Sequence, residues 1–198
     1  MKRLINDQKP LLIVVTGPPG SGKSTCGEFL AKKYSLAYID YDTVVQNFME
    51  SLFEKYYAKT SYKQFCLEWR DNCYCSLWDL VMQNIKLGNT IITSAPLTLE
   101  KSNPEFFKQL KESYRTDFDV LTITFYVPKH ILKQRLIKRN EKRDKEKLKE
   151  WDKYYESQNI NVFWDTNLNI ILDAEEGHTN EKIDQFIMEH MNPIYKFS

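Results

Sequence analysis

Apolar residues along this chain follow two alternating patterns. Leu11-Leu12-Ile13-Val14-Val15 is an unbroken run of mostly branched side chains, the pattern of a central parallel strand buried on both faces. Shorter runs recur at Leu36–Ile39, Thr90–Thr93, Val120–Val127 and Leu168–Leu172, and read as further strands. The segments between them carry apolar residues three and four apart and predict helices. These cover Ser24–Tyr34, 43–58, 62–87, Pro104–Tyr114, a stretch opening at Pro128, and Asn180–Met191. Over 62–87 the spacing of Phe65, Trp69, Cys73, Leu77, Leu80 and Leu87 predicts one long helix, stopped by Gly88-Asn89. Strands alternating with helices predict an α/β fold of three layers around a five-stranded parallel sheet. With 198 residues, and no repeat, linker or low-complexity tract, the chain 1–198 is expected to form one domain.

The first strand runs directly into Gly17-Pro18-Pro19-Gly20-Ser21-Gly22-Lys23-Ser24, a full match to G-x₄-G-K-[ST], with Thr25 next. Glycines let backbone N–H groups turn inward and approach phosphates that side chains would hold off. The helix that follows points its positive N-terminus at the same anions. Lys23 then reaches the outer phosphates, and the Ser24 hydroxyl is expected to ligate Mg²⁺. A buried strand before the loop and a helix after it are the context this motif requires.

The second strand ends in Tyr38-Ile39-Asp40-Tyr41-Asp42. Strand alternation would aim both carboxylates the same way, at the sheet edge where ligands sit in parallel folds. Asp40 is expected near the metal, and Asp42 is expected to accept a hydroxyl proton or hold an acceptor hydroxyl. The competing reading makes Asp42 the cap of a helix beginning at Thr43. Many phosphate-loop proteins carry an acid at the end of the third strand. Here that strand ends Ile92-Thr93-Ser94-Ala95-Pro96, so metal binding falls to Ser24 and Asp40.

Charge changes the picture locally. The net charge is only +1, which excludes the global basic field of a nucleic-acid coat protein. Residues 129–153, however, hold eleven Lys/Arg against five Asp/Glu. Within them Arg135, Arg139 and Arg143 recur four apart, one stripe along a helix. Guanidinium groups there could neutralise charge on a transferring phosphoryl group. The neighbouring Lys138, Lys142, Lys145 and Lys149 read as a solvated face. Aromatic residues concentrate in 43–87, most of them as core. Arg70 and Tyr74, four apart on one helix face, are the expected substrate contacts of that segment.

The order strand, phosphate loop, helix, strand and Asp-x-Asp resembles small phosphate-loop kinases of the AAA_33 and zeta-toxin-like group, together with the shikimate and gluconate kinases. Ile39-Asp40-Tyr41-Asp42-Thr43 is especially similar to the zeta-type stretch. The resemblance implies a nucleoside-monophosphate-kinase-like fold in which Asp42 touches the phosphate acceptor. It also implies that residues 43–87 bind the acceptor and that residues of about 135–150 form an arginine-rich lid over ATP. Arg135 would then stack on adenine, Asp144, Lys147 and Trp151-Asp152 would brace the lid, and Asp173–His178 would lie where shikimate kinases hold the base.

The remaining residues narrow the field. Four cysteines show neither zinc nor redox spacing, which fits a reducing compartment, and the three histidines form no metal or catalytic pattern. No apolar run approaches a membrane span, so a cytoplasmic protein with no membrane partner is expected. The expected activity is ATP- and Mg²⁺-dependent transfer of the γ-phosphoryl group to a hydroxyl of a small molecule. Two other classes stay open, an ATP-binding sensing module with little turnover and a kinase of nucleotides or nucleic-acid ends. The aromatic rather than basic helices of 43–87 weigh against nucleic acid.

Overall fold

The computed structural model describes residues 9–57, 59–141, 144–158, 161–165, 167–171 and 179–190. Five strands, β1 (Leu11–Thr16), β2 (Ala37–Asp40), β3 (Ile91–Ala95), β4 (Asp119–Tyr126) and β5 (Asn167–Ile171), form one sheet in the order β2-β3-β1-β4-β5. Every neighbouring pair is parallel. The central strand is the unbroken apolar run, and all six of its residues are buried. Its Thr16 stands opposite Ala95 on one side and Thr124 on the other, so the strand ends that matter for a ligand are level.

Alternation along β1 builds the two halves of the core. Leu11, Ile13 and Val15 face a layer drawn from α1 (Lys23–Tyr34), α6 (Lys129–Arg139) and α9 (Thr179–His190), through Leu30, Leu132, Leu136, Ile183 and Ile187. Leu12 and Val14 face the opposite layer, where α4 (Arg70–Lys86) supplies Leu77, Trp78, Val81, Met82 and Ile85, with Leu110 of α5 (Phe106–Tyr114) and Trp164 alongside. Helices on both faces of a parallel sheet are the three-layer arrangement expected from the strand–helix alternation.

A smaller cluster of Met49, Phe65 and Cys73 joins α2 (Tyr41–Tyr56), α3 (Tyr62–Glu68) and α4 above the sheet. Here the expected single helix over 62–87 is broken into α3 and α4. Trp69 sits between them at φ −94° and ψ 0°, in the sparsely used bridge region, although its N–H still bonds to the Phe65 carbonyl. The break turns Phe65 fully inward, against Phe53, Tyr57 and Tyr62. Leu80 and Leu87, part of the helical spacing that predicted one helix, are exposed. So are Phe48 and Tyr56 among the aromatics of this region.

Candidate active site

The loop from Gly17 to Gly22 leaves β1 and enters α1 through backbone angles that favour glycine. Gly20 has φ +83° and Gly22, the residue before α1, has φ +96°. A methyl group on Gly20 would also lie 3.0 Å from Leu136 of α6. The Ser21 N–H donates to the Pro18 carbonyl at 3.1 Å, closing the turn. The Ser21 hydroxyl is buried and has no hydrogen-bond partner among the described residues.

A cavity of about 490 Å³ opens over this loop. Its lining comprises Gly20, Gly22, Lys23, Ser24 and Thr25 from the loop and α1, Asp42 from α2, and Arg135, Lys138 and Arg139 from α6. Four cations thus surround the space with one carboxylate. The walls are brought together because β2, β1 and β4 all end at this edge and are followed directly by α2, the loop and α6. Arg135 is tied to the loop itself, its Nη1 donating to the Gly20 and Ser21 carbonyls at 3.4 and 3.5 Å.

Asp40 and Asp42 part company. The strand ends at Asp40 and α2 begins at Tyr41, so strand alternation does not govern Asp42, which lies in the first helical turn. The helix cap is Asp40, whose Oδ1 accepts the Thr43 N–H at 3.1 Å; Asp42 does not cap a helix starting at Thr43. Oδ2 of Asp40 accepts the Ser24 and Tyr38 hydroxyls, each at 3.0 Å, and that of Ser94. Burial alone would push this carboxyl upward. Hydrogen bonds from Ser94, the Thr43 N–H, Ser24 and Tyr38 prevail and hold it below its ordinary value of 3.8. Tyr38 can approach only because residue 27 is glycine; a Cβ there would collide with its ring.

The Ser24 hydroxyl donates to Asp40, and Ser24 lines the cavity. A hydroxyl backed by a carboxylate is the hard oxygen donor set that Mg²⁺ takes. Among the described residues no group of three or more His, Cys, Asp or Glu could hold a metal alone, so remaining ligands would come from phosphate and water. The donor set therefore fits a nucleotide-borne Mg²⁺.

On the α6 side the helix ends at Arg139, because Asn140 takes a left-handed conformation at φ 51°. The expected stripe therefore has two members on α6, Arg135 and Arg139, and Arg143 lies outside the described residues, as does the segment Asp173–His178. Arg139 is gripped by Asp144, with Nε and Nη2 donating to one oxygen at 2.9 and 2.6 Å, while Lys147 donates to the other at 2.9 Å. The Asp144 side chain is 1% exposed. Burial would raise its pKa, but Lys147 and Arg139 lower it. Lys138, expected as part of a solvated face, is exposed and also lines the cavity.

Arg70 and Tyr74 do share a face, with the guanidinium carbon 4.4 Å from the ring centre, but neither lines this cavity. Arg70 Nη2 donates to both oxygens of Glu100 at 2.7 Å, and the Tyr74 hydroxyl accepts the Leu97 N–H at 3.0 Å. Two participants escaped sequence reasoning. Tyr38 and Ser94 were legible in principle, one two residues before Asp40 and the other its register partner on β3.

Residues 12–157 match the AAA_33 family, an AAA domain. The chain belongs to this family. No curated protein matches the chain. Solved structures with the same fold include a sugar kinase from Janibacter sp. HTCC2649, at 16% identity and TM-score 0.59 over 96% of this chain and 99% of that one. The Mycobacterium tuberculosis APS kinase CysC, solved with AMPPNP and APS, aligns at 15% identity and TM-score 0.54 over 91% and 98%. Shikimate kinase from Aquifex aeolicus vf5 aligns at 19% and 0.51 over 90% and 96%. At such identities the likeness is one of fold, and it is that of the nucleoside-monophosphate-kinase-like kinases.

Proposed function

We propose that this AAA_33 member transfers the γ-phosphoryl group of ATP to a hydroxyl of a small molecule, the whole chain acting as one kinase domain. The observation that carries the reading is the shared cavity, in which a phosphate loop, one acid on α2 and a wall of α6 cations face one another. Lys23 and the loop N–H groups hold the triphosphate. Mg²⁺ would be held by Ser24, with Asp40 behind it, and would supply charge neutralisation on the phosphate oxygens.

The acceptor enters from the side of residues 43–87. Its oxygen forms a bond to the γ-phosphorus as the bond to the leaving ADP oxygen breaks, and its proton passes to Asp42. Arg139, steadied by Asp144, offers a guanidinium to the equatorial oxygens, and Arg143 has the same proposed role. Arg135 lies against the loop where a nucleotide base or ribose would rest. That the solved relatives in fold include kinases of sugars, shikimate and APS supports a small-molecule acceptor.

The test is ATP consumption with Mg²⁺ across pools of sugars, nucleosides and other hydroxyl-bearing metabolites, with D42N beside the wild type. Stimulation by one pool, reduced at least a hundredfold in D42N with ATP still bound, is the expected result. Nucleotide binding with no stimulation by any pool would replace the kinase with a sensing module.

A further inference from the structure

Asp40 is a carboxylate that the protein holds from four elements. Its Oδ1 accepts the Thr43 N–H of α2 at 3.1 Å, and its Oδ2 accepts the hydroxyls of Ser24 on α1, Tyr38 on its own strand and Ser94 on β3. Tyr38 and Ser94 also meet each other, hydroxyl to hydroxyl, at 2.7 Å, so with Oδ2 they close a triangle. Of the four residues bonded to Asp40, Ser24 lines the phosphate-loop cavity and the other three do not. The triangle therefore acts on the cavity through Asp40 and Ser24.

Sequence and register bring these groups together. Asp40 and Ser94 are register partners on adjacent parallel strands, and Val15 of the strand that feeds the loop stands opposite Ser94 on its other side. Ser94 is fully buried. An acid at this position would set a second carboxylate against Oδ2 and disfavour the charge on both, whereas a serine donates to it. Tyr38 reaches the same oxygen through the space left at Gly27, where a Cβ would come within 2.8 Å of the ring carbon Cζ and 3.0 Å of the hydroxyl oxygen. Glycine inside a helix costs about 1 kcal/mol against alanine. Its place on α1, three residues after Ser24, is accounted for by the tyrosine ring.

We infer that Tyr38 and Ser94 are positioning residues for the Mg²⁺ proposed at Ser24, and that they act by fixing Asp40 as the acceptor of the Ser24 proton. This rests on the proposed nucleotide site and deepens it. A hydroxyl that ligates a cation does so through its oxygen, and its proton goes to another acceptor. Two further hydroxyls on Oδ2 and the Thr43 N–H on Oδ1 keep that acceptor in place. Without either hydroxyl the carboxylate is held by fewer bonds, and the Ser24 hydroxyl is oriented less tightly.

The experiment is calorimetric titration of the full chain with AMPPNP, across a series of Mg²⁺ concentrations and in EDTA. The proteins are the wild type, Y38F, S94A, G27A and T93V. Y38F and S94A each remove one hydroxyl and keep the rest of the side chain. Both should raise the Mg²⁺ concentration at half-effect roughly three- to tenfold and leave binding in EDTA within about twofold of the wild type. G27A displaces the Tyr38 ring by another route and should reproduce Y38F, with no further loss in the double variant. Thr93, the residue before Ser94, is equally buried, but its hydroxyl donates to the Ile39 carbonyl at 2.8 Å. T93V should therefore leave the Mg²⁺ dependence unchanged. Equal weakening of Y38F and S94A with and without Mg²⁺, no shift in either, or the same shift in T93V would overturn the assignment. So would a wild type whose binding Mg²⁺ does not tighten. Mg²⁺-dependent binding with no metabolite pool stimulating turnover would end the kinase reading and leave this assignment standing, whereas a wild type that binds no nucleotide ends both.

Discussion

Replacing the buried Lys101 with methionine should stabilise the protein. Folding moves the Lys101 pKa from the ordinary 10.5 down to about 8; burial is the main cause, Glu100 opposes it and Lys23 adds to it. A depression of roughly 2.5 units corresponds to about 3 kcal/mol of stability given up at pH 7. Below pH 8 both folded and unfolded chains carry the proton and the whole penalty applies. Between about 8 and 10.5 the folded chain releases the proton while the unfolded chain keeps it, so the penalty falls as pH rises and vanishes above that window. Methionine fills similar space without an ionisable group. Urea denaturation should therefore show K101M more stable by about 3 kcal/mol at pH 7 and by roughly 1 kcal/mol at pH 9.5. Other titrations are common to both proteins and cancel in the difference. A K101M protein no more stable than the wild type at pH 7, or a gain that does not shrink with pH, would refute the account of a buried, uncompensated charge.

Three further outcomes follow from the site. D40N removes the acceptor that gathers Ser24, Tyr38, Ser94 and the Thr43 N–H, and should raise the Mg²⁺ concentration needed for nucleotide binding or turnover roughly tenfold. Because the Asp40 and Asp144 carboxyls are held below their ordinary values, their stabilising contribution is complete above 3.8 and is lost as pH falls through the folded values. Acid titration of D144N beside the wild type should show a shallower loss, with D144N already less stable by about 3 kcal/mol at pH 7, since Arg139 and Lys147 lose a buried partner. G22A forces an alanine to φ +96° where no atom obstructs the methyl group, so thermal unfolding should register strain alone, about 1–2 kcal/mol, together with weaker binding of AMPPNP.

The parts of this molecule that could be read from the chain are those whose physics is local. An unbroken apolar run buries on both faces, and glycines at fixed spacing turn a loop around phosphate. Strand–helix alternation leads to a parallel sheet by the short list of ways such elements can pack. The phosphate loop, Asp42 and Arg135 were therefore named from sequence and meet in one cavity. Failures came where local rules compete. Asp40 and Asp42 could each have capped α2, and the deciding factor is the bond network around Asp40, which needs Ser94 from a strand 54 residues away. A helix pattern ran through Trp69 without a break because periodicity is blind to a single bridge-region residue that lets the pattern resume in phase.

Arg70 and Tyr74 illustrate how sequence proximity and function diverge. Their spacing marks a shared helix face, and that face exists. What the face contacts depends on the turn after β3, which brings Glu100 and Leu97 to it from 30 and 23 positions away. Both polar groups bond to that turn, and neither residue lines the phosphate-loop cavity, so helix-face proximity read from spacing located a brace of the fold and not a wall of that cavity.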